Sequence, residues 1–124
     1  MINFFKKVEQ EPQDIAELLQ QFRALKENFE KVSQELERLR SEGKFSIQKV
    51  GVVRFNPFKE VGGDQSFCVA LLDAFDSGTV ITSIYAREGN RVYAKAIQVG
   101  KAEYPLSQEE RAAIAAAKQQ NHQQ

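Results

Sequence analysis

Residues 50–97 read VGVVRFNPFKEVGGDQSFCVALLDAFDSGTVITSIYAREGNRVYAKAI, and the reading of this stretch decides the fold. It is dense in β-branched and aromatic residues, which suit a pleated, half-buried surface. Turn chemistry cuts it into four runs. Asn56-Pro57 ends the first, because proline cannot donate to a strand ladder. Gly62-Gly63-Asp64 marks a tight bend, and Ser66 to Asp73 form the second run. Asp76-Ser77-Gly78 is a turn, and Thr79 to Arg87 are the third run. Glu88-Gly89-Asn90 reads as a three-residue hairpin loop, with Arg91 to Ile97 as the fourth run. The first run opens upstream, where Phe45, Ile47 and Lys49 alternate with Ser46, Gln48 and Val50. Short loops between consecutive strands predict a four-stranded antiparallel meander.

The loop lengths also predict a register. The Glu88–Asn90 loop sets Arg87 opposite Arg91, Tyr85 opposite Tyr93 and Ser83 opposite Lys95. The preceding turn sets Leu71 opposite Ile81 and Phe67 opposite Tyr85. One face then carries Phe67, Val69, Leu71, Ile81, Tyr85, Tyr93 and Ile97. The other carries Ser66, Cys68, Ala70, Thr82, Ile84, Ala94 and Ala96. Both faces are largely apolar, so both are expected to be at least partly covered.

Upstream of this stretch the period changes. Apolar residues fall at Ile15, Leu18, Phe22, Leu25, Phe29, Val32, Leu36 and Leu39, with gaps alternating three and four. That is a heptad seam, with Ile15, Phe22, Phe29 and Leu36 at a and Leu18, Leu25, Val32 and Leu39 at d. Pro12 suits a first helical turn, acids Asp14 and Glu17 suit its positive end, and Gly43 suits its stop. The spacing predicts one long amphipathic helix over 11–43, roughly 45 Å in length at ~1.5 Å per residue. An eight-residue strand spans only ~27 Å. A sheet domain of that size leaves part of the stripe in water, so the helix is expected to form a coiled coil, most simply a homodimer. Leu19 at an e position widens the stripe, as in a helix lying on its own domain. In a parallel pair, Glu35 with Arg40 is the one clear charge match across the seam.

Downstream, Ser107 and Glu110 form a capping-box pattern before RAAIAAAK, an alanine-rich helix able to approach a sheet closely. Residues 44–118 are therefore expected to form one sheet domain closed by this helix. Residues 1–10, beginning MINFFKKV, read as a frayed terminus, with contact to a membrane surface as the alternative. Residues 119–124 read as a disordered tail.

Composition excludes several function classes. The chain has 124 residues, with 17 basic side chains against 17 acidic ones. Such a balance lacks the clustered excess of Lys and Arg that non-specific nucleic-acid binding needs. No apolar run reaches the ~18 residues of a membrane span. Cys68 is the one cysteine, so no intrachain disulfide exists, and a reducing cytoplasmic location is expected. One cysteine and His122 cannot build a structural zinc site, and a Ser-His-Asp triad has only that tail histidine to draw on. Gly62-Gly63 lacks the Lys-Ser/Thr of a phosphate loop. No catalytic residue, metal or cofactor is therefore expected. What remains is a polar group: Arg54, Tyr85, Arg87, Tyr93 and Lys95, with Asp64 and Ser66 nearby in sequence. Two cations beside two phenols can hold a carboxylate or phosphate. The plainer reading is a cross-strand tyrosine pair with Arg54 paired to Asp64.

The runs VRFNPF, EVGGDQSFCVALLDA, SGTVITSIYARE, RVYAKAI and LSQEE resemble the bacterial domain-of-unknown-function family 4446 over roughly Val50 to Ala117. The resemblance implies a bacterial protein and carries no activity. Members commonly have a membrane-spanning segment before the coiled coil, and no such run precedes residue 15 here. A proline often follows the Tyr-Ala-Lys run in the family, where this chain has Ala96. The expectation is thus an α+β, non-catalytic assembly or interaction module that oligomerises through its N-terminal helix and meets a further protein partner. A small-ligand or anion site on the Tyr/Arg/Lys group is the alternative.

Overall fold

Helix α1 spans Ile15–Gly43 and is started by two side chains. Asp14 Oδ1 accepts the N–H of Glu17 at 2.8 Å, and the Glu17 carboxylate accepts the N–H of Gln13 at 2.7 Å. These bonds satisfy donors that no helical carbonyl can reach, as a capping box does. Pro12, expected in the first turn, lies ahead of the helix instead. The computed structural model describes residues 11–57 and 65–120. The expectations for residues 1–10, for the Gly62-Gly63-Asp64 bend and for 121–124 lie outside them.

The chain divides into two compact units, Met1–Gly43 and Lys44–Gln124. The second is α+β. Its strands are β1 (Lys49–Phe55), β2 (Ser66–Leu72), β3 (Gly78–Ala86), β4 (Gly89–Gln98) and β5 (Lys101–Ala102), followed by α2 (Gln108–Gln119). They form one antiparallel sheet in the order β1-β2-β3-β4-β5. The sheet has five strands, not the expected four. The fifth arises because β4 runs on to Gln98, and Val99-Gly100 then turn back in two residues at φ 49° and 77°. Two successive positive φ values make the hairpin turn whose twist matches its strands.

The β3–β4 register differs from the expected one. The connection is two residues, Arg87-Glu88, because Ala86 pairs with Gly89. Tyr85 stands opposite Asn90, Tyr93 opposite Thr82, and Lys95 opposite Val80. Gly89, expected inside the loop, opens β4 at φ 140°, a conformation that glycine reaches without a Cβ clash. The partner of Tyr93 thus moves by three positions. An odd shift turns every β4 side chain to the other face. Tyr93 and Ile97 lie on the face of Cys68, and Ala94 and Ala96 on the face of Phe67. The β2–β3 register differs by two, with Leu71 opposite Thr79 and Phe67 opposite Ser83, so those faces are as expected.

Helix α2 covers the Cys68 face. The core is Cys68, Ala70 and Leu72 of β2, Val80 of β3, Ile97 of β4, and Ala113, Ile114 and Ala117 of α2. The small side chains of α2 let its backbone rest on β1. A Cβ placed on Gly51 would stand 2.1 Å from the Ala113 carbonyl oxygen and 2.5 Å from the Ala117 nitrogen. Only a glycine admits this approach. Ser107 caps α2, its Oγ accepting the N–H of Glu110 at 3.1 Å. The helix continues through Gln119, and Gln120 Oε1 accepts the Val50 N–H at 3.3 Å, so order extends past 118. The opposite sheet face carries Val50, Val52 and Val92, all exposed, around half-buried Phe67, Val69, Leu71 and Ile81. The expected cover on that face is absent among the described residues of this unit.

Candidate functional site

Lys95 is carried by β4 on the face under α2. Its Nζ donates to Glu110 Oε1 at 3.0 Å and to the Pro105 carbonyl at 2.7 Å. Glu110 thus supplies only its N–H to the cap, and its carboxylate goes to the sheet rather than back to Ser107. That side chain is 6% exposed, and its second oxygen, Oε2, has no partner among the described residues. In the core, Cys68 Sγ and Thr82 Oγ1 share a hydrogen bond at 3.3 Å. Burial pushes the Cys68 thiol up from its ordinary value, which keeps it protonated and unreactive.

Beyond the end of α2, the same face opens into a cleft of about 450 Å³ under the β3–β4 hairpin. Ile84, Arg91 and Tyr93 line it together with the turn residues. Arg91 was not singled out from the sequence. It shares a face with Tyr93 and Lys95 in any register, as alternate residues of one strand, and the two-residue loop puts that face on the side of α2.

The other residues of the sequence-derived polar group are dispersed. Tyr85 lies on the opposite face, its N–H donating to Ser66 Oγ at 2.9 Å. Arg54 lies on that opposite face too, in β1, across from Phe67. Arg87 stands in the hairpin turn and is exposed. The shared face that motivated an anion site is therefore not formed, and the cross-strand tyrosine pair is not formed either. Asp64, the proposed partner of Arg54, lies outside the described residues.

In α1 the seam residues face solvent. Ile15, Leu18, Phe22, Leu25, Phe29, Leu36 and Leu39 are between 53% and 75% exposed, and Val32 is half-buried. The buried residue of this helix is Asn28, at the g position beside the seam. Arg38 binds both Glu35 and Glu42 along the helix. Its guanidinium holds the Glu35 carboxyl below the usual carboxylate range, chiefly through the hydrogen bond. Glu35 is thus engaged within its own helix, in competition with any pairing to Arg40 of another.

A meander sheet with one covering helix, preceded by a long helix whose apolar seam is exposed, defines a small α+β protein with a helical appendage. Residues 3–118 match the model of the protein family of unknown function DUF4446, and the chain belongs to that family. No curated protein and no solved structure matches it. Among the described residues, no helix is long and apolar enough to cross a membrane.

Proposed function

We propose that this is a non-catalytic assembly module of the bacterial cytoplasm, dimerising through α1 as a coiled coil and presenting its sheet unit to a protein partner. The observation that carries the reading is the exposure of seven of the eight a/d residues of α1, all but half-buried Val32. A continuous apolar stripe of this kind usually marks an interface. Each large apolar side chain is worth roughly 1.5–3 kcal/mol when moved from water to a packed seam. Two copies laid seam to seam satisfy both stripes at once, and the interface is isologous. Phenylalanine at two a positions, Phe22 and Phe29, is a poor knob for a narrow dimer seam and weighs against the reading.

Sedimentation at increasing concentration tests the reading. The wild type is expected to run as a dimer at tens of micromolar. Phe22→Asp with Phe29→Asp is expected to run as a monomer while keeping the β signal in circular dichroism. A wild type that stays monomeric at high micromolar concentration defeats the proposal.

A further inference from the structure

We propose that one end of the sheet unit, where the β2–β3 and β4–β5 turns meet, docks on an anionic lipid surface. This goes beyond the dimer reading and does not depend on it. Phe45, Phe75 and Val99 come from three separate segments and converge there. They are 73%, 44% and 73% exposed, and the two phenylalanine rings lie 5.4 Å apart. With Ala74 and the turn residues Asp73, Asp76 and Ser77 they line a shallow groove of about 680 Å³.

The segments are fastened to one another. Asp73 Oδ1 accepts the N–H groups of Phe75 at 2.8 Å and Ser77 at 3.0 Å. Ala74 N–H donates to the Lys44 carbonyl at 3.0 Å, and Gly100 N–H to the Asp76 carbonyl at 2.9 Å. Val99 N–H donates to Ser77 Oγ at 2.9 Å. The apolar tips are therefore held in place before any partner arrives.

Val99 is the anomaly. Its φ is 49°, in the left-handed region, where a β-branched residue is a genuine outlier. Asn, Asp or Gly is the normal occupant of the first position in such a turn. The valine side chain is exposed and fills no core, so the strain brings the fold nothing in return. Strain retained at an exposed position points to use of the side chain by a partner.

Charge identifies that partner. The carboxylates of the two turns are occupied: Asp73 by backbone N–H groups, and Asp76 by Lys49 at 2.6 Å. Around the apolar tips stand Lys44, Lys101 and Lys118, all exposed and without a carboxylate partner among the described residues. Lys44 adjoins Phe45 and Lys101 follows Gly100. The Lys118 Nζ lies 3.6 Å from where a Cβ on Gly100 would be. Apolar side chains on converging turns, ringed by amines, match the acyl–headgroup boundary of a bilayer with phosphates above it. Turn tips enter a fluid interface without needing a shaped counterpart, which an acidic protein would have to supply.

Co-sedimentation of the full chain with vesicles tests this. Binding is expected on phosphatidylglycerol-containing vesicles, to weaken as salt rises, and to be slight on phosphatidylcholine alone. Lys44→Gln, Lys101→Gln and Lys118→Gln should each weaken it about fivefold. Val99→Asn should weaken binding severalfold and yet raise the melting temperature, by about 4–8 °C if relief of strain is near the usual cost. A structural role alone would move stability and not binding. Phe45→Ser, at the most exposed of the rings, supplies a second apolar test. Equal binding to both vesicle types, no binding to either, or wild-type binding by all these variants overturns the proposal. The last outcome assigns lipid contact to another segment of the chain. Retention of soluble polyglutamate without vesicle binding overturns it too, in favour of an acidic protein. Repeating the assay with Phe22→Asp/Phe29→Asp separates a failure here from a failure of the dimer.

Discussion

Lys95 and Glu110 show how little a residue's charge says about its work. From the sequence, Lys95 was a free cation on a sheet and Glu110 a capping acid. In the structure they are each other's partners, and Glu110 is nearly buried with one oxygen unanswered. A buried pair of this kind adds little net stability, but removing one member leaves a charge stranded. Lys95 is about a quarter exposed, which moderates the loss through solvent screening. Lys95→Met is therefore expected to cost about 2 kcal/mol in urea unfolding. Lys95→Met with Glu110→Met should recover most of that loss, because the stranded carboxylate is gone. If the double variant is as unstable as the single one, the pair is not what the loss reports.

At the scale of elements, α2 rests backbone to backbone on β1. The contact is set by Gly51 beneath an alanine-rich helix, and a methyl group there meets backbone atoms, which cannot swing aside. Gly51→Ala should destabilise the unit by about 3 kcal/mol, at the upper end of overpacking costs, and lower its melting temperature accordingly. A loss below half a kilocalorie would mean that α2 moves away without penalty. The close approach of this helix was legible, because RAAIAAAK has almost no side chain to hold it off. So were the heptad spacing of α1, the Ser107 cap and the order of the four main strands, since each rests on a local period or a local bond, although β1 begins at Lys49 and not at Phe45 as the alternation suggested. The β3–β4 register was not. Arg87-Glu88 and Glu88-Gly89-Asn90 are both plausible loops, and the difference of one residue in length decides which side of the sheet Tyr93 and Lys95 occupy. The face that Tyr85 was expected to share with Tyr93 and Lys95 rested on that choice, and the structure splits it between the two sides of the sheet. β5 was invisible for a related reason: its turn uses Val99, the residue type that turn rules argue against.

On the scale of the molecule, the two units draw their stability from different sources. Among its described residues, the sheet unit has an internal core of eight buried apolar residues spread over β2, β3, β4 and α2. For α1, the apolar seam contributes nothing while it faces water. Helix propensity alone leaves isolated helices marginal, so most of the stability of a 29-residue helix has to come from packing. If that packing is supplied by a second copy, mass action must show in it. Raising the protein concentration a hundredfold stabilises the associated state by about 2.7 kcal/mol, and leaves unaffected any unit that does not take part in association. The chain provides a means to see this. All three tyrosines, Tyr85, Tyr93 and Tyr104, lie in the sheet unit, and there is no tryptophan. Tyrosine fluorescence thus reports the sheet unit alone, while ellipticity at helical wavelengths is dominated by α1, which is more than twice the length of α2. Heating is expected to give two transitions. The one seen by ellipticity should move up by several degrees between micromolar and hundred-micromolar protein, and the one seen by tyrosine should stay fixed. Coincident transitions that ignore concentration would show that α1 is stabilised within its own chain, and the coiled-coil dimer would have to be abandoned.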